Sequence, residues 1–164
     1  MTVQRRRLTL KGIKPLGTFQ QRFENTHLYG MISPQDGDSF FMTIQGTNTP
    51  IFQQYLEQFA QHHPKCFKII LLDRASFHTA TTLKIPQNIA LIFIPPATPE
   101  VNPAERVWQE MKADVAWKNF KTLQQLQRWI EQRISLFSQQ KLKKLTNFTF
   151  IQNALKHKLV MHYS

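Results

Sequence analysis

Apolar and polar residues alternate along the chain in two periods, and the switches between them mark the elements. "HLYGMIS" (27–33) and "SFFMTIQ" (39–45) have the alternation of strands, and between them "PQDGD" carries Asp36-Gly37, a strong hairpin signal. In "TNTPIFQQYLEQFAQHHP" the period lengthens to that of a helix. Thr49 is the expected N-cap, Pro50 suits the first turn, Pro64 stops the helix, and Ile51, Phe52, Tyr55, Leu56 and Phe59 form its apolar face. "CFKIILLD" (66–73) and "IALIFIPP" (89–96) are continuous apolar runs, the pattern of strands buried on both faces of a sheet. A helix is predicted from Val101 to Trp117, with Val101, Ala104, Trp108, Met111 and Val115 as its core-facing stripe. Another begins at Thr122, where Thr122 and Gln125 have capping-box spacing, with Leu123, Leu126, Ile130, Ile134 and Phe137 on one face. With a short helix allowed between the apolar runs, the order is β-β-α-β-α-β-α-α, which predicts a mixed α/β sheet with flanking helices.

The 164 residues read as a single domain, 1–164, ending in a basic extension, 139–164; there is no internal repeat and no low-complexity linker. Twenty-one Lys and Arg stand against ten Asp and Glu, a formal charge of +11. Such a surplus serves solubility or a polyanionic partner, and at this size nucleic acid is preferred to an anionic membrane. Arg5, Arg6 and Arg7 near the start, and Lys141, Lys143 and Lys144 near the end, are the candidate phosphate contacts; the alternative for each cluster is ordinary solvated surface. Cys66 is the single cysteine, which excludes a disulfide framework and a cysteine metal site. No apolar stretch approaches the ~20 residues of a membrane span, and "MTVQRRRLTL" lacks the apolar segment of a signal peptide, so a cytoplasmic, nucleoid-associated protein is expected.

With so few acids, each can be weighed singly. Asp73 stands where a strand emerges, the edge at which open α/β sheets place ligand sites; its plainer role is a turn Asp capping the next segment. Glu105 falls at the rim of the predicted stripe, where a carboxylate is costly unless a cation or hydrogen bonds satisfy it, whereas Glu110 points away and fits a solvated face. Asn102 and Pro103 lie near the helix start, among backbone N–H groups without helical partners.

"LLDRASFH", followed after a second strand by "PPATPEVNPAERVW", resembles the insertion-sequence transposases related to the mariner group. That resemblance implies a ribonuclease H-like fold, an Asp-Asp-Glu metal triad using Mg²⁺ (Mn²⁺ as substitute), and DNA strand cleavage and strand transfer at insertion-sequence ends. It places the second acid at Asp73 and the third at Glu105, with His78, Asn102 and Trp108 accompanying them. His78 then contacts phosphate or positions the nucleophile; a partly buried structural His at a helix start is the alternative. Arg74 and Ala97 depart from residues common in the family, Asn and Tyr, which implies altered DNA contacts rather than lost chemistry.

The first Asp of the triad has no counterpart. Only Glu24, Asp36 and Asp38 precede residue 50 as acids, and the last two belong to the hairpin turn. The ribonuclease H-like sheet is therefore expected to be incomplete at its first strand, the one between the hairpin and the Asp73 strand, and no helix-turn-helix region precedes it. The expected protein is the downstream part of a transposase, inactive alone. It would be completed by an upstream segment, would oligomerise in the active complex and would bind double-stranded DNA. The alternative is a non-catalytic DNA-binding remnant or regulator of the full-length transposase. An RNA-binding module is disfavoured, since no aromatic-rich motif of the RNP type is present.

Overall fold

β1 (His27–Ile32) and β2 (Ser39–Ile44) form the expected hairpin, with Tyr29 opposite Met42 and Gly30 opposite Phe41. The computed structural model describes residues 26–95, 102–116 and 118–153. The hairpin loop closes through Ser33 N to Asp38 O (2.8 Å) and Gly37 N to Ser33 O (2.9 Å). Gly37 has φ +81° and is backed so closely by the Gln139 carbonyl that a Cβ would lie 1.9 Å from its oxygen, so only glycine fits.

α1 (Thr49–Gln61) starts one residue earlier than expected. Asn48, not Thr49, is the N-cap, its Oδ1 accepting the Ile51 N–H at 2.9 Å. Phe52, Tyr55, Leu56 and Ala60 are its buried residues. β3 (Lys68–Leu72) and β4 (Ile89–Phe93) pair in parallel, Ile70 beside Leu91. Residues 74–88, which join them, form turns rather than the short helix allowed for in the sequence. Further along the chain lie α2 (Ala104–Val115), α3 (Leu123–Ser135) and α4 (Gln139–Thr146).

Both faces of the hairpin are used. Tyr29, Met31, Phe40, Met42 and Ile44 pack on α1, and the same cluster takes in Ile70, Leu72 and Ile89, so α1 spans both strand pairs. Leu28, Ile32 and Phe41, on the opposite face by the period of two, pack with α2, α3 and α4 around Val107, Met111, Ile130 and Leu142. Among the described residues the strands form two separate two-stranded sheets, with no ladder between β1 and β3.

Two further expectations are corrected. Among the described residues β3 and β4 are not buried on both faces: Ile69 and Ile92, on the face away from α1, are 47% and 43% exposed. The α2 stripe centres on Val107 (0% exposed) and Met111, one position from the predicted Trp108; Val101 and Trp117 lie outside the described residues. α4, within the basic stretch 139–164, packs on the second core cluster. Ser138 caps α4 through the Lys141 N–H, Leu142 is 1% exposed, and the Thr146 hydroxyl donates to the Leu142 carbonyl. The start of α3 is as expected: Thr122 Oγ1 accepts the Gln125 N–H at 3.1 Å, and the Gln125 side chain accepts the Lys121 N–H.

Trp108 lies against the hairpin. Its ring meets Phe41 edge-on with centroids 6.1 Å apart, and a Cβ on Gly30 would come within 2.6 Å of both rings. Gly30 is thus the opening through which the α2 tryptophan seats.

Candidate active site

Asp73 follows the last residue of β3, and its side chain is 69% exposed. The strand end is fixed from beneath by the Ile94 N–H donating to the Leu72 carbonyl at 2.9 Å. Asp73 Oδ1 accepts from the Ala75 N–H (3.3 Å) and lies 2.8 Å from His78 Nδ1. The same Nδ1 is 3.1 Å from the Asp73 carbonyl oxygen. Both neighbours are acceptors, so Nδ1 carries the proton whichever state Nε2 is in. The imidazole is only 13% exposed and packs on the rings of Phe52 (4.4 Å) and Phe77 (4.3 Å). Asp73 is therefore an exposed carboxylate with one oxygen anchored by a nearly buried histidine, which leaves Oδ2 toward solvent or a ligand. His78 itself lies in a turn rather than at a helix start.

Glu105 is the second residue of α2 and half-buried. Asn102 builds this end of the helix: its Oδ1 accepts the Ala104 N–H at 3.1 Å and its carbonyl accepts the Glu105 N–H at 3.1 Å. Glu105 is the acidic residue of the first turn, beside the N–H groups that lack helical partners and the positive end of the helix dipole. Among the described residues, no group of three His, Cys, Asp or Glu side chains with mutually close ligand atoms includes Asp73 or Glu105.

Glu110 is not on a solvated face. Its Oε1 accepts from Arg133 (3.1 Å) and from the Lys141 ammonium, and Arg133 also pairs with Asp114, so one guanidinium and one ammonium tie α2, α3 and α4 together. Lys141 also lies 4.8 Å over the Phe137 ring. This engages Lys141 within the fold and leaves Lys143 and Lys144 as the exposed members of their cluster. Arg5, Arg6 and Arg7 lie outside the described residues. The network was missed because its partners are 23 and 31 residues apart in sequence, beyond any local pattern.

Residues 1–127 match the family model of the DDE superfamily endonucleases, and the chain belongs to that family. The uncharacterized protein y4pE/y4sA of Sinorhizobium fredii (strain NBRC 101917 / NGR234) is 32% identical over 87 residues, which cover 52% of this chain and 64% of that relative. The fold is similar to that of Mos1 transposase in a paired-end complex with the left transposon end (TM-score 0.65) and in the strand transfer complex (TM-score 0.66). Each is 16% identical and is matched over 88% of this chain, which spans 46% of the Mos1 chain. The architecture is thus the ribonuclease H-like mixed α/β fold of that transposase, with small sheets and flanking helices. Among the described residues no helix is long and apolar enough to cross a membrane.

Proposed function

We propose that this chain is the catalytic part of an insertion-sequence transposase that cleaves and transfers DNA strands, with Asp73 and Glu105 as two of its three metal-binding carboxylates. What supports this reading is a strand-end Asp73 bonded to His78, and a Glu105 in the first turn of α2, in a chain of the DDE endonuclease family. The donor set fits Mg²⁺ or Mn²⁺: both side chains offer hard oxygen ligands, and Mg²⁺ retains waters in its remaining positions. When bound there, the metal supplies activation of an attacking water and stabilisation of a leaving oxygen. The chain's own residues hold and orient. His78 fixes which Asp73 oxygen stays free, and Asn102 organises the helical turn that presents Glu105.

Two carboxylates do not make a two-ion site. Asp36 and Asp38 lie in the hairpin loop, and Asp38 is engaged by His62. In this reading the third carboxylate and a strand between β1 and β3 are supplied by a joined upstream segment, and the chain without that segment does not cleave. DNA is held through Lys143, Lys144 and Arg5 to Arg7 by phosphate contacts, in a homo-oligomeric complex. A regulatory role without catalysis is the competing outcome. The experiment is strand cleavage on duplex DNA in Mg²⁺ or Mn²⁺ by the chain joined to the segment encoded upstream of Met1. Cleavage abolished by Asp73→Asn and by Glu105→Gln, with DNA binding retained, supports the reading; no cleavage in any joined form leaves the regulator.

A further inference from the structure

At the other end of α1, three side chains from two distant parts of the sequence converge. Asp38, closing the hairpin loop, directs Oδ2 at the two histidines that follow α1. His62 Nε2 lies 2.9 Å from it and His63 Nε2 3.3 Å. All three ligand atoms lie within 4.8 Å of one another. His63 has φ +54°, a region that non-glycine residues seldom enter, and its ring stands 4.3 Å from that of His62. The turn that carries them is held from outside. Lys68 Nζ donates to the Ala60 and His63 carbonyls (3.2 and 3.1 Å), and the Asn88 amide to those of Ala60 and Pro64 (2.9 and 3.3 Å).

We infer that Asp38, His62 and His63 form a binding site for a Zn²⁺-type divalent ion that staples the hairpin loop to the end of α1. Donors at about 2.0–2.2 Å around a tetrahedral ion stand roughly 3.3 Å apart, close to both histidine–carboxylate separations here. Two imidazole nitrogens with one carboxylate suit Zn²⁺, Co²⁺ or Ni²⁺ rather than Mg²⁺, which prefers an all-oxygen octahedron. Three protein ligands leave a fourth position for water. The site is independent of the Asp73 region: Phe52, which touches His78, and His62 are separated by ten residues of α1, about 15 Å. Its ligands share no residue with the proposed catalytic pair, so either reading can fail without the other.

The test uses the full, untagged 164-residue chain, stripped with a chelator and titrated with ZnCl₂ by calorimetry and with CoCl₂ by visible absorption. One Zn²⁺ per chain should bind, Co²⁺ should give the visible bands of a four-coordinate ion, and excess Mg²⁺ should displace neither. His63→Asn keeps a residue that tolerates positive φ while removing the imidazole, and Asp38→Asn removes the carboxylate charge. Each should weaken Zn²⁺ binding by more than about tenfold while circular dichroism stays that of the folded chain. Absence of Zn²⁺ binding to the folded wild type, or binding unchanged in both variants, would overturn the site and leave a hydrogen-bonded cluster only.

Discussion

His78 reaches back five residues to the carboxylate of Asp73, its Nδ1 lying 2.8 Å from Oδ1 while its ring is packed between Phe52 and Phe77. A carboxylate at the mouth of a strand is thereby oriented by a group that is itself immobilised in the core. Replacing His78 by Gln should leave DNA binding intact but lower metal affinity or cleavage by roughly 10- to 100-fold in the joined form, the usual effect of removing a partner behind a metal ligand. Cleavage rate measured against Mn²⁺ concentration reads it directly: the midpoint should rise, and an unchanged midpoint would make His78 a packing residue only.

Gly30 leaves the space that the Trp108 and Phe41 rings occupy. Gly30→Ala should destabilise the fold by about 1–3 kcal/mol, because two rigid rings must move for one methyl group. Urea unfolding followed by Trp fluorescence checks it, and Trp108→Phe in the same background should recover part of the loss.

Glu110 accepts from both Arg133 and Lys141 in a half-buried network. Glu110→Gln should therefore cost stability, on the order of 1–2 kcal/mol, between the values for exposed and for fully buried ion pairs. The loss should shrink at high salt, since part of the network is open to solvent. Equilibrium unfolding at two ionic strengths measures both.

The exposed Lys143 and Lys144 and the engaged Lys141 should separate in DNA-binding assays. Lys143→Gln with Lys144→Gln should weaken duplex binding evenly across sequences and flatten the salt dependence by about two phosphate contacts, whereas Lys141→Gln should act mainly on stability. Binding measured from low to moderate salt distinguishes these outcomes.

Signals that act within a few residues are legible in the sequence, and contacts between distant segments are not. Thr122 and Gln125 announced the start of α3, and Asp36-Gly37 the hairpin, because capping and turn chemistry act within a few residues. The α1 cap fell one residue off because Asn48 and Thr49 are both capping residues ahead of Pro50, and only the structure shows which side chain bonds the Ile51 N–H. Helical spacing puts Trp108 in the core stripe, yet the tryptophan lies over the hairpin at Gly30 while the neighbouring Val107 is fully enclosed. Apolar runs in β3 and β4 suggested burial on both faces, but a strand's composition does not show which partner layers are present. A motif in the sequence points to Asp73, His78, Asn102 and Glu105, and only the structure shows the hydrogen bonds of His78 to Asp73 and of Asn102 to the first turn of α2. The convergence of Asp38 with His62 and His63 spans 24 residues, which no spacing rule connects.

The proposal that Asp73 and Glu105 are metal-binding carboxylates needing a third is tested most directly by duplex strand cleavage in Mg²⁺ or Mn²⁺. The chain should be compared alone, joined to its upstream segment, and joined with either carboxylate replaced. The chain alone should not cleave; the joined form should, and Asp73→Asn or Glu105→Gln should abolish cleavage while DNA binding stays nearly intact. Nicking by the isolated 164-residue chain that survives Asp73→Asn would contradict the account.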